Sequence, residues 1–292
     1  MSDYSIWVLE YGAVPTAPKG VTIHGTFNEG TIKLPYCYVV LKGRGHIAIV
    51  DVGYNNKDYG RVIADSYGVE NWHPPATVLA EIGVAPGQVT EAFITHAHFD
   101  HMGNSDEFPK AKFYVQEREL AKWMWSLSLH RRFRWLNSAT DPGDIMRMVD
   151  LARQGRLVSV EGDRANVIPG IDLHEAHDTH TWGSMYVNVR NDGQAASADS
   201  WIFAGDLIYS YANLKGFDAA DPQILPIGLA TGSQTTIMLK IEEMIERVGG
   251  EMKRVIPIHD ENLKDIFPSR ITAKNLRVTE IALAKGESSR VR

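Results

Sequence analysis

The run Thr95-His96-Ala97-His98-Phe99-Asp100-His101 places four candidate metal ligands within six residues, directly after the apolar segment Glu91-Ala92-Phe93-Ile94-Thr95. In a continued strand His96, His98 and Asp100 would share one face, whereas a turn at this point lets neighbouring side chains converge. Imidazole together with carboxylate suits zinc, iron, manganese or cobalt, so the residue types point to a metal without naming it. Cations held in such a site lower the pKa of a shared water and supply hydroxide at neutral pH, which is the chemistry of hydrolysis. The competing reading is a histidine-rich surface turn. Histidines recurring later in matching contexts favour the metal.

The elements that must position this motif can be read from the surrounding pattern. Residues 36–41 and 46–52 read as two strands joined by the Gly43-Arg44-Gly45 turn. Helical spacing follows near residues 57–67 and 76–82, the second opening after Pro74-Pro75 and closing before Gly83. Strands are expected at 91–95 and 112–116, then a long helical stretch over about 117–155 broken at Pro142-Gly143. Further strands are expected at 157–160, 171–176, 184–189 and 200–204, a helix at about 233–248, and a strand at 254–257 that delivers His259. Each half carries strands followed by helices, a pattern that two mixed sheets packed face to face with helices outside would satisfy. No sequence repeat, low-complexity tract or linker is evident, so residues 1–292 are expected to form one domain with a helical insert at about 117–155.

Composition narrows the function classes. A net charge of −6 leaves no diffuse basic footprint for nucleic acid. The single Cys37 excludes an intramolecular disulfide framework and a cysteine-rich zinc module, and its apolar neighbours make it a buried small hydrophobe. The amino-terminal residues lack the blocks of a secretory signal, and no apolar run approaches a membrane span, so a cytoplasmic protein is expected.

The HxHxDH pattern of residues 96–101 resembles that of the metallo-β-lactamase superfamily, and later segments fall in the expected order. Asp178-Thr179-His180-Thr181-Trp182-Gly183 resembles the segment carrying the third histidine, Phe203-Ala204-Gly205-Asp206 the strand end whose aspartate bridges two metals, and Pro257-Ile258-His259-Asp260 the last histidine. The resemblance implies the α/β αββα sandwich, two mixed β-sheets flanked by helices. It also implies two divalent metal ions, zinc first, with iron, manganese or cobalt as alternatives. His96, His98 and His180 would hold one, Asp100, His101 and His259 the other, with Asp206 between them. Taken alone, His180 competes with His174 and His177, Asp206 could be a turn residue or helix cap, and His259 a hydrogen-bonded core histidine.

Within the superfamily, Asp206 weakens a β-lactamase reading, and His98 stands where flavodiiron-type redox members carry glutamate. Glu29-Gly30 through Leu34-Pro35-Tyr36, Val160-Glu161-Gly162-Asp163 with Ile168-Pro169-Gly170, and above all Tyr209 resemble the N-acyl homoserine lactonases. The likeness implies a dinuclear metal-dependent hydrolase that opens a lactone ring by attack of a metal-bridging hydroxide. In that scheme Tyr209 steadies the oxyanion and Asp100 carries the proton to the leaving alkoxide. Hydrolysis of a cyclic amide or thioester is the alternative, and a mononuclear-iron persulfide dioxygenase a more distant one. Asp51 and Asp260 are placed to orient the imidazoles, with surface or capping roles as the competing readings.

Two features depart from the lactonase pattern: Trp182 replaces a proline after the third histidine, and the 117–155 segment is longer than in compact lactonases. The latter interleaves Trp123, Met124, Trp125, Phe133 and Trp135 with Arg131, Arg132 and Arg134. An insert packed on the body, a lid, or a homodimer interface would each use such residues. The expected partner is a small-molecule substrate, with neither nucleic acid nor membrane.

Overall fold

The computed structural model describes residues 2–292. The strands are β1 (Tyr4–Pro18), β2 (Thr31–Gly43), β3 (His46–Val50), β4 (Glu91–Phe93), β5 (Lys112–Gln116) and β6 (Leu157–Val160). They are followed by β7 (Arg164–Ile168), β8 (Ile171–His177), β9 (Gly183–Arg190) and β10 (Ser200–Phe203). The last are β11 (Val255–Ile256), β12 (Ser269–Ile271) and β13 (Arg277–Ala282). One sheet runs β12-β13-β1-β2-β3-β4-β5-β6 and the other β11-β10-β9-β8-β7. Both are mixed: β3 to β6 pair in parallel and the rest of the first sheet antiparallel, while only β10–β11 is parallel in the second.

The parallel strands are short apolar runs because both of their faces are covered. Ala48, Ile49 and Val50 of β3 and Ala92 and Phe93 of β4 are fully buried. One continuous apolar core joins side chains from both sheets, among them Val39, Phe93, Met185 and Phe203. Outside lie amphipathic helices. Gln234–Arg247 starts at Ser233, whose hydroxyl accepts from the Thr236 amide, and buries Ile237, Ile241, Met244 and Ile245 at helical spacing. No helix among the described residues is long and apolar enough to cross a membrane.

The 117–155 segment folds as two helices, Glu117–Ser128 and Pro142–Arg153, joined through a 3₁₀ stretch at Arg131–Asn137. Asp141 caps the second helix by accepting from the Gly143 amide, with Pro142 at the first position, where its missing N–H is harmless. The segment also closes on the motif: the Ala139 carbonyl accepts from the Phe99 amide at 2.8 Å.

The expected strands and helices are present within a few residues. The long β1, its partner β13, β12 beyond it and β7 of the second sheet are additional, and β2 begins at Thr31, earlier than its apolar run.

Candidate metal centre

The site gathers at strand ends. His96 and His98 follow β4, and Asp100 and His101 lie on the short helix Phe99–Met102. His180 sits in the turn between β8 and β9, Asp206 follows β10, and His259 follows β11. The sheets meet here backbone to backbone, with the Met185 amide donating to the Thr95 carbonyl at 2.9 Å. The turn carrying Asp206 needs glycine before it: Gly205 has φ of +54°, and a Cβ there would lie 2.6 Å from Thr95 Oγ1.

Seven side chains form two groups, His96, His98, His180 and Asp206 in one and Asp100, His101 and His259 in the other. In the first, the three imidazole centroids lie 4.6–4.7 Å apart with planes crossed at 77–88°. His98 Nδ1 stands 3.0 Å from both His96 Nε2 and His180 Nε2. The opposite nitrogens are engaged: His180 Nδ1 donates to the Leu229 carbonyl at 2.8 Å, and His96 Nδ1 pairs with Thr95 Oγ1 at 3.1 Å. With Thr95 donating its own proton to Asp51, both Nε2 atoms present lone pairs. A proton on His98 Nδ1 would satisfy only one of them, whereas a cation satisfies all three. Tetrahedral zinc, with Zn–N of about 2.0–2.1 Å, sets its donor atoms roughly 3.3 Å apart, close to what is found. Burial, reinforced by the neighbouring imidazoles, keeps His96 and His98 well below the usual histidine pKa, and burial lowers His180 as well.

The second group is built on carboxylates. His101 Nδ1 donates to Asp51 Oδ2 at 2.8 Å, and its Nε2, buried without a hydrogen-bond partner, lies 3.2 Å from Asp206 Oδ1 and 3.6 Å from Asp100 Oδ2. His259 Nδ1 donates to the Pro35 carbonyl at 2.6 Å, leaving Nε2 3.0 Å from Asp206 Oδ1. Burial alone would lower both histidines, but Asp206 together with Asp100, and for His101 also Asp51, raises them. Conversely, burial would raise Asp206, and His101 and His259 pull it well below the carboxylate range. Asp100 is raised by burial despite His101. Without a metal, Nε2 atoms that face carboxylate oxygens favour a proton, as the raised values show, and a cation would take the same place, the donor set being that of a zinc or other transition-metal site.

Asp206 spans the two groups. Its Oδ1 faces His101 and His259, and its Oδ2 lies 3.4 Å from His180 Nε2 and 3.9 Å from His96 Nε2. Tyr209 donates its hydroxyl to Oδ2 at 2.6 Å. Burial and Asp206 push the phenol pKa well up, so it remains a proton-bearing donor.

All the residues singled out in the sequence as ligands thus converge, and Tyr209 joins them. His174 and His177 pair with Asp163 and Gln116. Asp51 orients His101 as expected. It is fully buried with φ of +59°, a conformation that aspartate tolerates better than most residues. Asp260 behaves differently: it accepts from the Tyr211 and Asn262 amides and fixes a turn, while the Pro35 carbonyl orients His259. Cys37 is buried and its thiol pushed up to about 12 by that burial, in keeping with a packing role. Trp182 packs edge-on against Trp123 and Trp125.

One functional carboxylate escaped the sequence reading. Glu119, on the Glu117–Ser128 helix, is fully buried and bonds both ligand-bearing turns. Its signal was the helical spacing of Glu119, Trp123 and Ser126, which sets it on the buried face.

Space at the centre is unequal. On the His98 and His180 side, Trp135, Leu136 and Leu229 leave a cavity of about 20 Å³. Beside Tyr209 and His259 a cavity of about 450 Å³ opens, bordered also by Lys33, Ser210 and Phe217.

A family-level match, described as the Metallo-beta-lactamase superfamily, covers residues 31–247. No curated protein matches the chain. Among solved structures, an AiiA mutant from B. thuringiensis with N-decanoyl-L-homoserine bound is 15% identical with a TM-score of 0.64, covering 91% of this chain and 97% of that one. A probable metal-dependent hydrolase from Staphylococcus aureus is 17% identical with a TM-score of 0.62, covering 84% and 85%. AidC, a dizinc quorum-quenching lactonase, is 13% identical with a TM-score of 0.56, covering 97% and 96%. At these identities the likeness is one of fold.

Proposed function

Because the chain belongs to the metallo-β-lactamase superfamily, we propose that it is a dinuclear metal-dependent hydrolase that opens a lactone ring. The observation that carries the reading is Asp206, one carboxylate reaching two histidine groups with the Tyr209 hydroxyl on one of its oxygens. His96, His98 and His180 would hold one cation and Asp100, His101 and His259 the other, zinc by preference and iron, manganese or cobalt by the same donor set. When bound, the pair supplies hydroxide at neutral pH and a Lewis acid for a carbonyl.

The chain's own groups do the rest. Tyr209, held protonated beside the 450 Å³ cavity, would turn its one hydroxyl proton from Asp206 Oδ2 to the oxygen that gains charge as the carbonyl becomes tetrahedral. Asp100, raised by burial, takes a proton from the attacking water and returns it to the departing ring oxygen. Trp135 and Leu136 restrict the space beside His98 and His180, so the ring is received from the Tyr209 side. The lactonases of similar fold support the choice of ester over amide.

The test is purified protein of measured metal content, assayed against acyl-homoserine lactones, simple lactones, cyclic amides and S-lactoylglutathione. Ring opening of a lactone that is lost on chelation and restored by metal is the expected result. Full activity of metal-free protein, or turnover confined to a nitrogen heterocycle, would overturn the reading.

A further inference from the structure

We propose that Glu119, which lies outside both ligand groups, is the positioning residue that sets the spacing of the His96, His98 and His180 site. The inference rests on the metal-centre reading above. Glu119 Oε1 accepts from the Ala97 amide and the Trp123 indole, each at 2.8 Å. Its Oε2 accepts from the Thr181 hydroxyl at 2.8 Å and the Gly183 amide at 2.7 Å. Ala97 lies between His96 and His98, and Thr181 follows His180, so one side chain grips the backbone on both sides of the site.

Three of the partners, two amides and an indole, can only donate, and the Thr181 hydroxyl completes the four contacts of the carboxylate. The Thr181 hydroxyl is free to donate because Ser184 Oγ, 2.7 Å away, can supply a proton to it in turn. Burial raises Glu119, and the bonds from Ala97, Trp123, Thr181 and Gly183 oppose that rise and favour the carboxylate. Among the described residues every hydrogen-bond partner of Glu119 is uncharged. A fully buried anion without a cationic side chain is costly in a low-dielectric interior. A cation held by the three imidazoles just beyond Ala97 and Thr181 would give that charge its counterpart.

The surroundings are shaped to this contact. Gly183 admits no side chain, since a Cβ would fall 2.2 Å from the Glu119 amide nitrogen. Trp123, one turn along the helix, bonds Glu119 and packs its ring against His98 and Trp182, at centroid distances of 5.7 and 4.9 Å. The 117–155 segment therefore enters the centre through Glu119, fixing the two turns whose approach brings His98 Nδ1 to His180 Nε2.

Glu119→Gln tests this. An amide keeps one acceptor oxygen and turns an NH₂ group on the remaining donors. Zinc is titrated stepwise against a competing chelator in the wild type, E119Q, His98→Ala and His259→Ala, with thermal melting as the check on folding. The step abolished by His98→Ala should be weakened about 10–100-fold in E119Q, the range for groups that orient ligands without touching metal. The step abolished by His259→Ala should be unchanged. Wild-type affinity at both steps, or equal weakening of both, would overturn the proposal. If E119Q does not fold, Trp123→Phe, which keeps a ring against His98 and removes one donor, is expected to weaken the same step, and no weakening overturns the proposal. A wild-type protein that binds no zinc would overturn the metal centre as well. Two bound zincs insensitive to Glu119 would overturn this inference alone.

Discussion

Asp51→Asn is expected to destabilise the fold and loosen the His101 site while leaving the backbone unchanged. Asp51 accepts from the Thr95 amide at 2.7 Å, the Thr95 hydroxyl at 2.9 Å and His101 Nδ1 at 2.8 Å, and it is fully buried. Asparagine tolerates the left-handed backbone found here, so the substitution isolates the side-chain chemistry. If the amide oxygen faces the Thr95 N–H, the NH₂ group faces His101 Nδ1–H, donor against donor. Losing a bond to a charged acceptor and stranding a buried donor costs about 2–4 kcal/mol. At about 2–4 °C per kcal/mol for a chain of this class, the melting temperature should fall by roughly 5–15 °C. His101 could relieve part of the clash by moving its proton to Nε2, where Asp206 Oδ1 would accept it, but only by giving up the lone pair that a metal would need there. Zinc affinity at the second site should therefore weaken about 10–100-fold. Differential scanning calorimetry and chelator competition read the two effects separately. Wild-type melting temperature together with wild-type zinc affinity would refute the reasoning.

Tyr209→Phe should retain both metals and lower kcat on a lactone about 100–1000-fold, as expected for loss of a single donor to a developing oxyanion; steady-state kinetics with metal analysis checks it, and unchanged kcat would remove Tyr209 from the chemistry. Asp206→Asn should lose metal and activity together, because the oxygen lost to the amide served one of the two histidine groups; elemental analysis after gel filtration reads this. Far from the centre, burial would raise Glu243, but bonds from Lys240 at 2.8 Å and the Tyr186 hydroxyl at 2.7 Å, with Arg247, hold it down to about 2. A depressed carboxylate stabilises the fold fully above its ordinary pKa of 4.5 and loses that contribution as pH falls through about 2. Glu243→Gln should thus flatten the acid limb of stability between those values, measured by urea unfolding across pH.

Metal chemistry made the centre legible: few residue types can hold a cation, and their spacing after an apolar strand is hard to mistake. His96, His98, Asp100 and His101 could be read directly, and the later histidines and Asp206 took their meaning from the order of segments. Asp51 could be placed at a strand end, but only the fold shows that it serves His101 while Asp260 serves a turn. Glu119 was hidden because its helix also carries the charges of a solvated face, Glu117, Arg118 and Lys122. Strand β1 was hidden for another reason. Residues 4–14 are buried on both faces, which erases the alternation by which a half-exposed strand is recognised, and Pro15 and Pro18 fall within it. In β13 the buried Arg277, facing Glu10 across the sheet, interrupts the apolar pattern.

The position of β1 has a consequence for how the protein is made. Trp7 pairs with Glu280 and Val8 with Thr279, so the large sheet joins strands drawn from opposite ends of the chain. Pairings of such high contact order form slowly, and on the ribosome β1 emerges long before β13 exists. Meanwhile its other edge can zip to β2. The HxHxDH histidines emerge well before His180, Asp206 and His259, so for a time the nascent chain exposes an incomplete set of donors. On the proposed reading, the full ligand set for a metal exists only once His259 has been made, so the centre would be loaded late.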